Sequence, residues 1–347
     1  MNAEPDGVSR RRVAQMAGVG IAAAGLAAAG ARSASAKESG SVGDSQSEQA
    51  TTGMSAGRAG NPVNLGVTTE TLTFNVDNRG SCKVTVRNFG QTATQGIVSL
   101  KVITPYYVNF GFTDKNVPNS NWSFLYYDPR PHIPSILEIK LPPGIAPGGA
   151  VVVDVPFVMD PAGPVIPASG RATATPAVGS PDVDTDIVRN TQQFGVVRQS
   201  SPPVPPAARV NLHFTYSNVA LPLGRATDMP VRFWNRGSAR TKSPATFVMY
   251  SPFYTNFGPA RSLPRNMKKL YTNADPSVPE ILEITVPAGI LPMTRGGILG
   301  VGSRVPLVPV AGGPKGIEMS SAIIMPGPSD TDSDLTINIQ QVVCLLV

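Results

Sequence analysis

Residues 104–111 read Thr-Pro-Tyr-Tyr-Val-Asn-Phe-Gly, and 147 positions later residues 251–258 read Ser-Pro-Phe-Tyr-Thr-Asn-Phe-Gly. The match extends in both directions. Val63-Asn64-Leu65 returns as Val210-Asn211-Leu212, and Asn88-Phe89-Gly90 as Asn235-Arg236-Gly237. Pro134-Ser135-Ile136-Leu137-Glu138-Ile139 returns as Pro279-Glu280-Ile281-Leu282-Glu283-Ile284, and Pro142-Pro143-Gly144-Ile145 as Pro287-Ala288-Gly289-Ile290. Asp182-Val183-Asp184-Thr185-Asp186 returns as Asp330-Thr331-Asp332-Ser333-Asp334. A colinear series of this kind is a duplication, so whatever the first copy folds into, the second folds into as well. A chain of 347 residues has room for two such cores. The boundary falls at Gln199-Ser200-Ser201-Pro202-Pro203-Val204-Pro205-Pro206, which reads as an extended, fairly stiff linker. The assignment is module one at 61–198, linker at 199–208 and module two at 209–347.

The fold class follows from what lies between the repeats. The chain holds 34 Gly and 35 Pro, too many Pro for long helices. Between them run short segments rich in Val, Ile and Thr. Cys82, Val84 and Val86 alternate with Lys83, Thr85 and Arg87, the signature of a strand with one buried face. Strands are also predicted over 97–103, 136–141, 151–158, 171–177 and 187–197, with Leu137, Ile139 and Leu141 on one face. Seven to nine strands per module predict an all-β chain of two tandem antiparallel β-sandwiches, each packing its own interior. In the repeated phrase, Pro105 and Pro252 end a strand, the aromatics fold back onto the core, and Gly111 and Gly258 let the chain turn. That makes the phrase a structural corner rather than a duplicated active site.

The first 36 residues read as an address. Ser9-Arg10-Arg11-Arg12-Val13-Ala14-Gln15 resembles a bacterial twin-arginine export signal, although Val13, Ala14 and Gln15 depart from its last three preferences. An uncharged Ala/Gly stretch from Val13 to Ala31 follows, then Ala34-Ser35-Ala36 as a small-residue cleavage site. A membrane-spanning helix is the competing reading, but this composition gives little transfer energy and a cleavage site follows it. No Cys follows the stretch, which argues against a lipid anchor. Cleavage takes four basic and two acidic residues from a chain of net charge +6, leaving +4. Residues 37–60, rich in Ser, Gly, Ala and Thr, read as a flexible lead-in. The expected localisation is secreted or associated with the cell envelope.

The strand-and-turn grammar also resembles a family. Val84, Val86, Asn88 and Gly90 form V-x-V-x-N-x-G. A strand ending at Pro105 follows, then Pro147-Gly148-Gly149 and the Asp182–Asp186 turn with Asn190. Module two supplies Val231, Phe233, Asn235, Gly237, Pro252 and Asp330–Asp334. This is similar to bacterial Ig-like repeat domains of the cell-adhesion-related, CARDB type, from which the long 104–134 segment departs. The resemblance implies Ig-like sandwiches in secreted, usually non-enzymatic modules, and it implies no ligand.

Few residues suit catalysis. The two histidines, His132 and His213, stand near no nucleophile signature, and with two scattered cysteines they make neither a triad nor a zinc site. The reading is no enzyme; a secreted hydrolase with an unrecognised carboxylate site ranks last. Glu138 and Glu283 occupy equivalent strand positions and read as solvated outer-face residues. Cys82 and Cys344 fall in different modules, so a Cys82–Cys344 disulfide would demand a close approach; two buried free thiols fit better. The doubled Asp-x-Asp-x-Asp has two readings. Asp182, Asp184, Asp186, Asp330, Asp332 and Asp334 could converge on calcium, or could stabilise a turn by accepting backbone hydrogen bonds. The EF-hand pattern is absent, since Ile187 and Leu335 stand at its glycine position and Gln193 and Gln341 at its terminal glutamate. The turn reading is favoured, and no other cofactor is implied.

Differences between the copies give the candidate ligand surfaces. Trp122, Phe124 and Tyr127 correspond to Met267, Lys269 and Thr272. A position that accepts Lys in one copy suggests exposure in both, and hence an aromatic surface on module one. The competing reading, that Trp122 and Phe124 cap the core, is favoured. Module two carries nine basic residues and one acid, Asp228, between Arg225 and Lys269. Arg232 and Trp234 share the outward face of a strand whose inward face holds Val231 and Phe233. Arg232, Trp234, Arg236, Lys268 and Lys269 are therefore the candidates for an anionic ligand, against a merely soluble surface. No nucleic-acid motif accompanies them. The leading functional reading is a non-catalytic binding or adhesion protein of the envelope, its partner a cell-wall polysaccharide, another anionic polymer or a surface protein. The alternative is a purely structural envelope component.

Overall fold

A computed structural model describes residues 60–163, 169–198, 209–293, 300–335 and 337–347. The export signal, the lead-in up to Ala59 and the Pro-rich linker lie outside the described residues. In module one the strands are β1 (Asn61–Val63), β2 (Leu65–Thr69), β3 (Leu72–Phe74), β4 (Arg79–Asn88) and β5 (Val98–Ile103). There follow β6 (Val108–Phe110), β7 (Trp122–Tyr126), β8 (Ile136–Leu141) and β9 (Ala150–Met159). The module closes with β10 (Gly170–Pro176), β11 (Asp182–Asp184), β12 (Thr191–Phe194) and β13 (Val196–Arg198). Module two has β14 (Leu212–Tyr216), β15 (Val219–Leu221), β16 (Thr227–Asn235), β17 (Ala245–Tyr250) and β18 (Thr255–Phe257). Its remaining strands are β19 (Met267–Tyr271), β20 (Ile281–Val286), β21 (Val301–Pro309), β22 (Gly316–Met325) and β23 (Ile339–Leu346).

Each half is an antiparallel sandwich. Module one sets the four-stranded sheet β2-β4-β9-β6 against the five-stranded sheet β12-β10-β5-β8-β7. Module two sets β14-β16-β21-β18 against the six-stranded sheet β15-β23-β22-β17-β20-β19. The period-2 alternation does the sorting. Cys82, Val84 and Val86 of β4 meet Val98, Leu100 and Val102 of β5 in one core. Met229, Val231 and Phe233 of β16 meet Phe247 and Met249 of β17 in the other. Cys82 and Cys344 are free thiols, one in each core.

Two repeated devices hold the turns. Asn88 is fully buried; its amide donates to Thr92 O (2.7 Å) and Ile145 O (3.0 Å) and accepts from Gly90 N at 2.9 Å. Asn235 repeats the clip with Ala239 O, Ile290 O and Gly237 N. One side chain thus pairs three backbone groups that would otherwise be stranded in the interior. In the repeated phrase the turn is made elsewhere than the glycines. Tyr107 and Tyr254 take the left-handed conformation, with φ of 62° and 55°. Gly111 and Gly258 serve close approach instead, since a Cβ at either would stand 3.1 Å from Pro156 Cβ or Pro306 Cβ.

A third apolar cluster joins the two halves. The outward faces of the five- and six-stranded sheets pack on each other, so β5, β10, β17 and the second half of β22 from Ser320 are covered on both sides. Ile103, Tyr106 and Ile136 meet Val248, Tyr250, Phe253 and Ile323 there. Tyr106 donates to Ser321 O at 2.6 Å, and Lys101, 2 % exposed, donates to Thr175, Asp275 and Ser277 at 2.7–2.8 Å. Arg130 reaches Glu283 at 3.2 Å, while Glu138 accepts from Ser99 Oγ at 2.6 Å. Glu138 and Glu283 are therefore half-buried and hydrogen-bonded, not solvated outer-face residues. Equivalent residues touch each other across this seam: Tyr126 lies on Tyr271 (5.4 Å between centroids) and Gln341 donates to Gln193 at 3.2 Å. That self-pairing is the property of an isologous interface, here between two copies within one chain.

Candidate functional site

With those sheets in the seam, the two four-stranded sheets turn their outer faces to solvent. On module two that face is built by the outward positions of β14, β16 and β21. Arg232 stands between Thr215 of β14 and Gly302 of β21, and Pro230 opposes Arg304. Nothing lies within 4 Å of where a Cβ on Gly302 would be, so the sheet has an open notch beside Arg232. Trp234 is 9 % exposed. Its indole N–H donates to Thr215 Oγ1 at 3.0 Å, His213 stacks on it at 6.3 Å, and Gly300 leaves room for the ring. Burial first, and then the charge of Arg236, push His213 down to about 4, so it is neutral beneath the indole near pH 7.

Thr215, Ser217, Trp234, Arg232 and Arg304 border a depression of about 500 Å³, and a second of about 270 Å³ is bordered by Arg232, Gly302, Ser303 and Arg304. Both guanidinium groups line both depressions. Arg304 is exposed, with Asp228 at the outer limit of an ion pair, 4.0 Å. Two guanidinium groups on one open sheet, with hydroxyls around them, make a face suited to oxyanions.

The other sequence-derived candidates fall elsewhere. Trp122 is 9 % exposed and packs at 5.6 Å on Phe112, inside a group that includes Phe110 and Phe124. Phe124 is half-buried and meets Tyr127 edge-on at 5.0 Å. Trp122, Phe124 and Tyr127 plug the sandwich beneath the long loop and form no exposed aromatic platform. The inference of exposure from Lys269 fails for a physical reason. Lys269 is itself mostly covered, its side chain 10 % exposed, and donates to both carboxylate oxygens of Glu280 (2.9 and 3.1 Å) and to Phe257 O. Glu280 stands where module one has Ser135, so the second copy exchanged a Phe/Ser pair for an ion pair. Lys268 is exposed on edge strand β19 and Arg236 in the turn after β16, and neither borders the depressions.

The aspartates behave as turn stabilisers. Asp182 accepts from Gln95 N, Gly96 N and Asn61 Nδ2; Asp330 accepts from Lys242 N and Ser243 N at 2.9 Å. Asp184 accepts from Leu65 N, Asn190 Nδ2 and Asp186 N, and Asp332 from Leu212 N, Asn338 Nδ2 and Asp334 N. Asp186 caps a short 3₁₀ turn by accepting from Val188 N. Lone pairs filled by N–H donors are directed away from cation binding, and no cluster of three or more metal-ligating side chains occurs among the described residues. These contacts are those of turn stabilisers at Asp182, Asp184, Asp186, Asp330 and Asp332, the reading favoured from the sequence, and calcium at these residues and Asp334 stands as an expectation from the sequence alone. Among the described residues no helix is long and apolar enough to cross a membrane.

Sequence reasoning missed Thr215, Gly302 and Arg304. The signal was present: Val152 and Asp154 of β9 correspond in register to Gly302 and Arg304 of β21, a reversal of charge beside a lost side chain.

No protein-family model matches the chain, and no curated protein does. Among solved structures, the chain is similar to a cohesin module from a Clostridium perfringens family 33 glycoside hydrolase at 12% identity. That match has a TM-score of 0.26 and covers 40% of this chain and 98% of the module. A type I cohesin–dockerin complex from Clostridium thermocellum contains a chain 11% identical, at a TM-score of 0.25, with coverage of 40% and 99%. AvmM, described as catalysing macrocyclization in alchivemycin A biosynthesis, is 15% identical at a TM-score of 0.22, with coverage of 40% and 88%. Likenesses this slight carry no functional argument.

Proposed function

We propose that the protein is an exported, non-catalytic binding protein of the cell envelope or extracellular space, and that its ligand surface is the outer face of β14, β16 and β21. The observation that supports this most directly is the pairing of Arg232 and Arg304 around the open notch at Gly302. Seven further residues of the basic stretch, from Arg225 through Lys268, carry charges that add to this field. A field of one sign favours an anionic envelope polymer as the partner. Export rests on Ser9–Arg12 and the apolar stretch after them. A non-catalytic role fits the placement of the histidines, His213 beneath Trp234 and His132 beside Arg130 in the seam.

The test is sedimentation of the full chain with isolated bacterial envelopes. The native protein is expected in the pellet, and Arg232→Glu/Arg304→Glu is expected to bind about 100-fold more weakly, roughly 2.7 kcal/mol. Equal binding by that variant would place the ligand surface elsewhere. No binding by the native protein would favour the second reading, a structural spacer, for which the apolar, self-paired seam is the supporting observation.

A further inference from the structure

The chemistry of the ligand can be read from the same face, an inference that rests on the binding role proposed above. Four features of the face bear on it. Arg232 and Arg304 border both depressions, so an oxyanion held between them would have a cavity on either side. The rim of the larger cavity carries hydroxyl residues, Thr215 and Ser217, whereas Ser303 opposes inward-facing Val231 and borders the smaller cavity with its backbone. The two aromatics that border the larger depression are taken up in packing, Trp234 almost wholly buried and Tyr216 half-buried against the core, so bases have no open platform on which to stack and a protein partner has no apolar anchor to pack against. Finally, exposed guanidinium groups hold a lone small anion weakly, because water and salt compete for both partners. Useful affinity then requires a chain that presents many charges to the surrounding cations Arg225, Arg236, Arg240 and Lys242, all exposed.

We infer that the face takes a linear polyanionic glycan: hydroxyl-rich units with regularly spaced oxyanions. One oxyanion is held between Arg232 and Arg304, and the units before and after it rest in the two depressions. The planar forks of both guanidinium groups match a carboxylate and a phosphodiester equally well, so the shared chemistry is the oxyanion flanked by polyol.

The experiment titrates the immobilised full chain at low salt with polygalacturonate, poly(glycerol phosphate), neutral dextran and inorganic phosphate. At least one polyanion is expected to bind, with dextran and inorganic phosphate silent. Arg232→Gln and Arg304→Gln are each expected to weaken binding at least about tenfold, while Lys83→Gln on module one changes it less than about twofold. Polygalacturonate alone identifies carboxylate, poly(glycerol phosphate) alone identifies phosphodiester, and binding of both shows that the face reads any oxyanion of this spacing. Polyanion binding untouched by either arginine variant would overturn the inference. So would failure of both polyanions while isolated envelopes still bind through Arg232 and Arg304, and that outcome would leave the binding role standing. Failure with envelopes as well would remove the binding role itself.

Discussion

The outer faces of the two four-stranded sheets share a backbone and differ in what they offer. On module one, Lys83 stands directly opposite Asp154, and Thr85 opposite Val152. On module two the same places hold Pro230 opposite Arg304 and Arg232 opposite Gly302. The first face sets opposite charges across from each other and fills its surface with a valine 60 % exposed; the second places a cation on each of two strands, Arg304 with Asp228 at 4.0 Å, and removes the side chain beside Arg232. The clips at Asn88 and Asn235 and the latches at Asp184 and Asp332 are the same in both. Duplication thus kept what closes the sandwich, and the outward positions diverged.

The largest effect that sharpens this comparison lies in module one and concerns stability. Trp122→Ala should cost about 3–5 kcal/mol, because it empties a well-packed aromatic group, and should leave ligand binding unchanged. Urea unfolding and the glycan titration measure the two. Weakened binding at full stability would restore module one as a ligand surface.

The buried ion pair of module two comes next. Glu280→Ser, which installs the module-one residue, should cost about 3 kcal/mol by leaving Lys269 charged and unpaired in the interior. Adding Lys269→Phe, to recreate the Phe/Ser pair of module one, should recover most of that loss, a coupling a double-mutant cycle would detect. Additive losses would show that the exchange at 124/269 and 135/280 was not concerted.

A smaller effect belongs to the seam. Burial alone would raise Asp275, but the charge of Lys101 and hydrogen bonds from Lys101 and Ser277 outweigh it and hold the carboxyl below its ordinary value. A depressed carboxyl contributes stability above the ordinary carboxylate range, lost as pH falls through the lower folded value. Lys101→Met should therefore be less stable than the native chain at pH 7, with the gap closing as acid protonates Asp275. A gap independent of pH would assign the loss to packing.

How much of this was legible in the sequence depended on whether the signal was local. Cys82, Val84 and Val86 alternate within one strand, and the Asn and Asp turns repeat as short phrases, so fold class and turn chemistry could be read. Lys101 could not be placed, since it interrupts an apolar run as a solvated residue would, and its partner Asp275 lies 174 positions away. Only the continuous apolar character of Phe247-Val248-Met249-Tyr250 and Ala322-Ile323-Ile324-Met325 hinted that these strands are covered on both faces. Tyr107 and Tyr254 carry no local sign of a left-handed backbone, whereas Gly111 and Gly258 do and do not use it. On the candidate face, Arg232 and Trp234 were legible from alternation. Gly302 and Arg304 were passed over because the repeat offset changes before β21, although the shared Val155-Pro156 and Val305-Pro306 align them with Val152 and Asp154, as strand register does.

The subtlest change tests the notch alone. Gly302→Val installs the side chain that module one already carries at this register, and nothing within 4 Å opposes its Cβ. The strand should accept it without loss of stability, since a β-branched residue suits an exposed strand position better than glycine does. Both arginines remain, so the charge of the face is unchanged. If a ligand unit rests on the bare backbone beside Arg232, binding should still fall about tenfold, roughly 1.4 kcal/mol, by exclusion of volume. Undiminished binding would mean that charge alone distinguishes the two faces. In that case Thr85→Arg/Asp154→Arg on module one, with Val152 left in place, should be enough to make a second site.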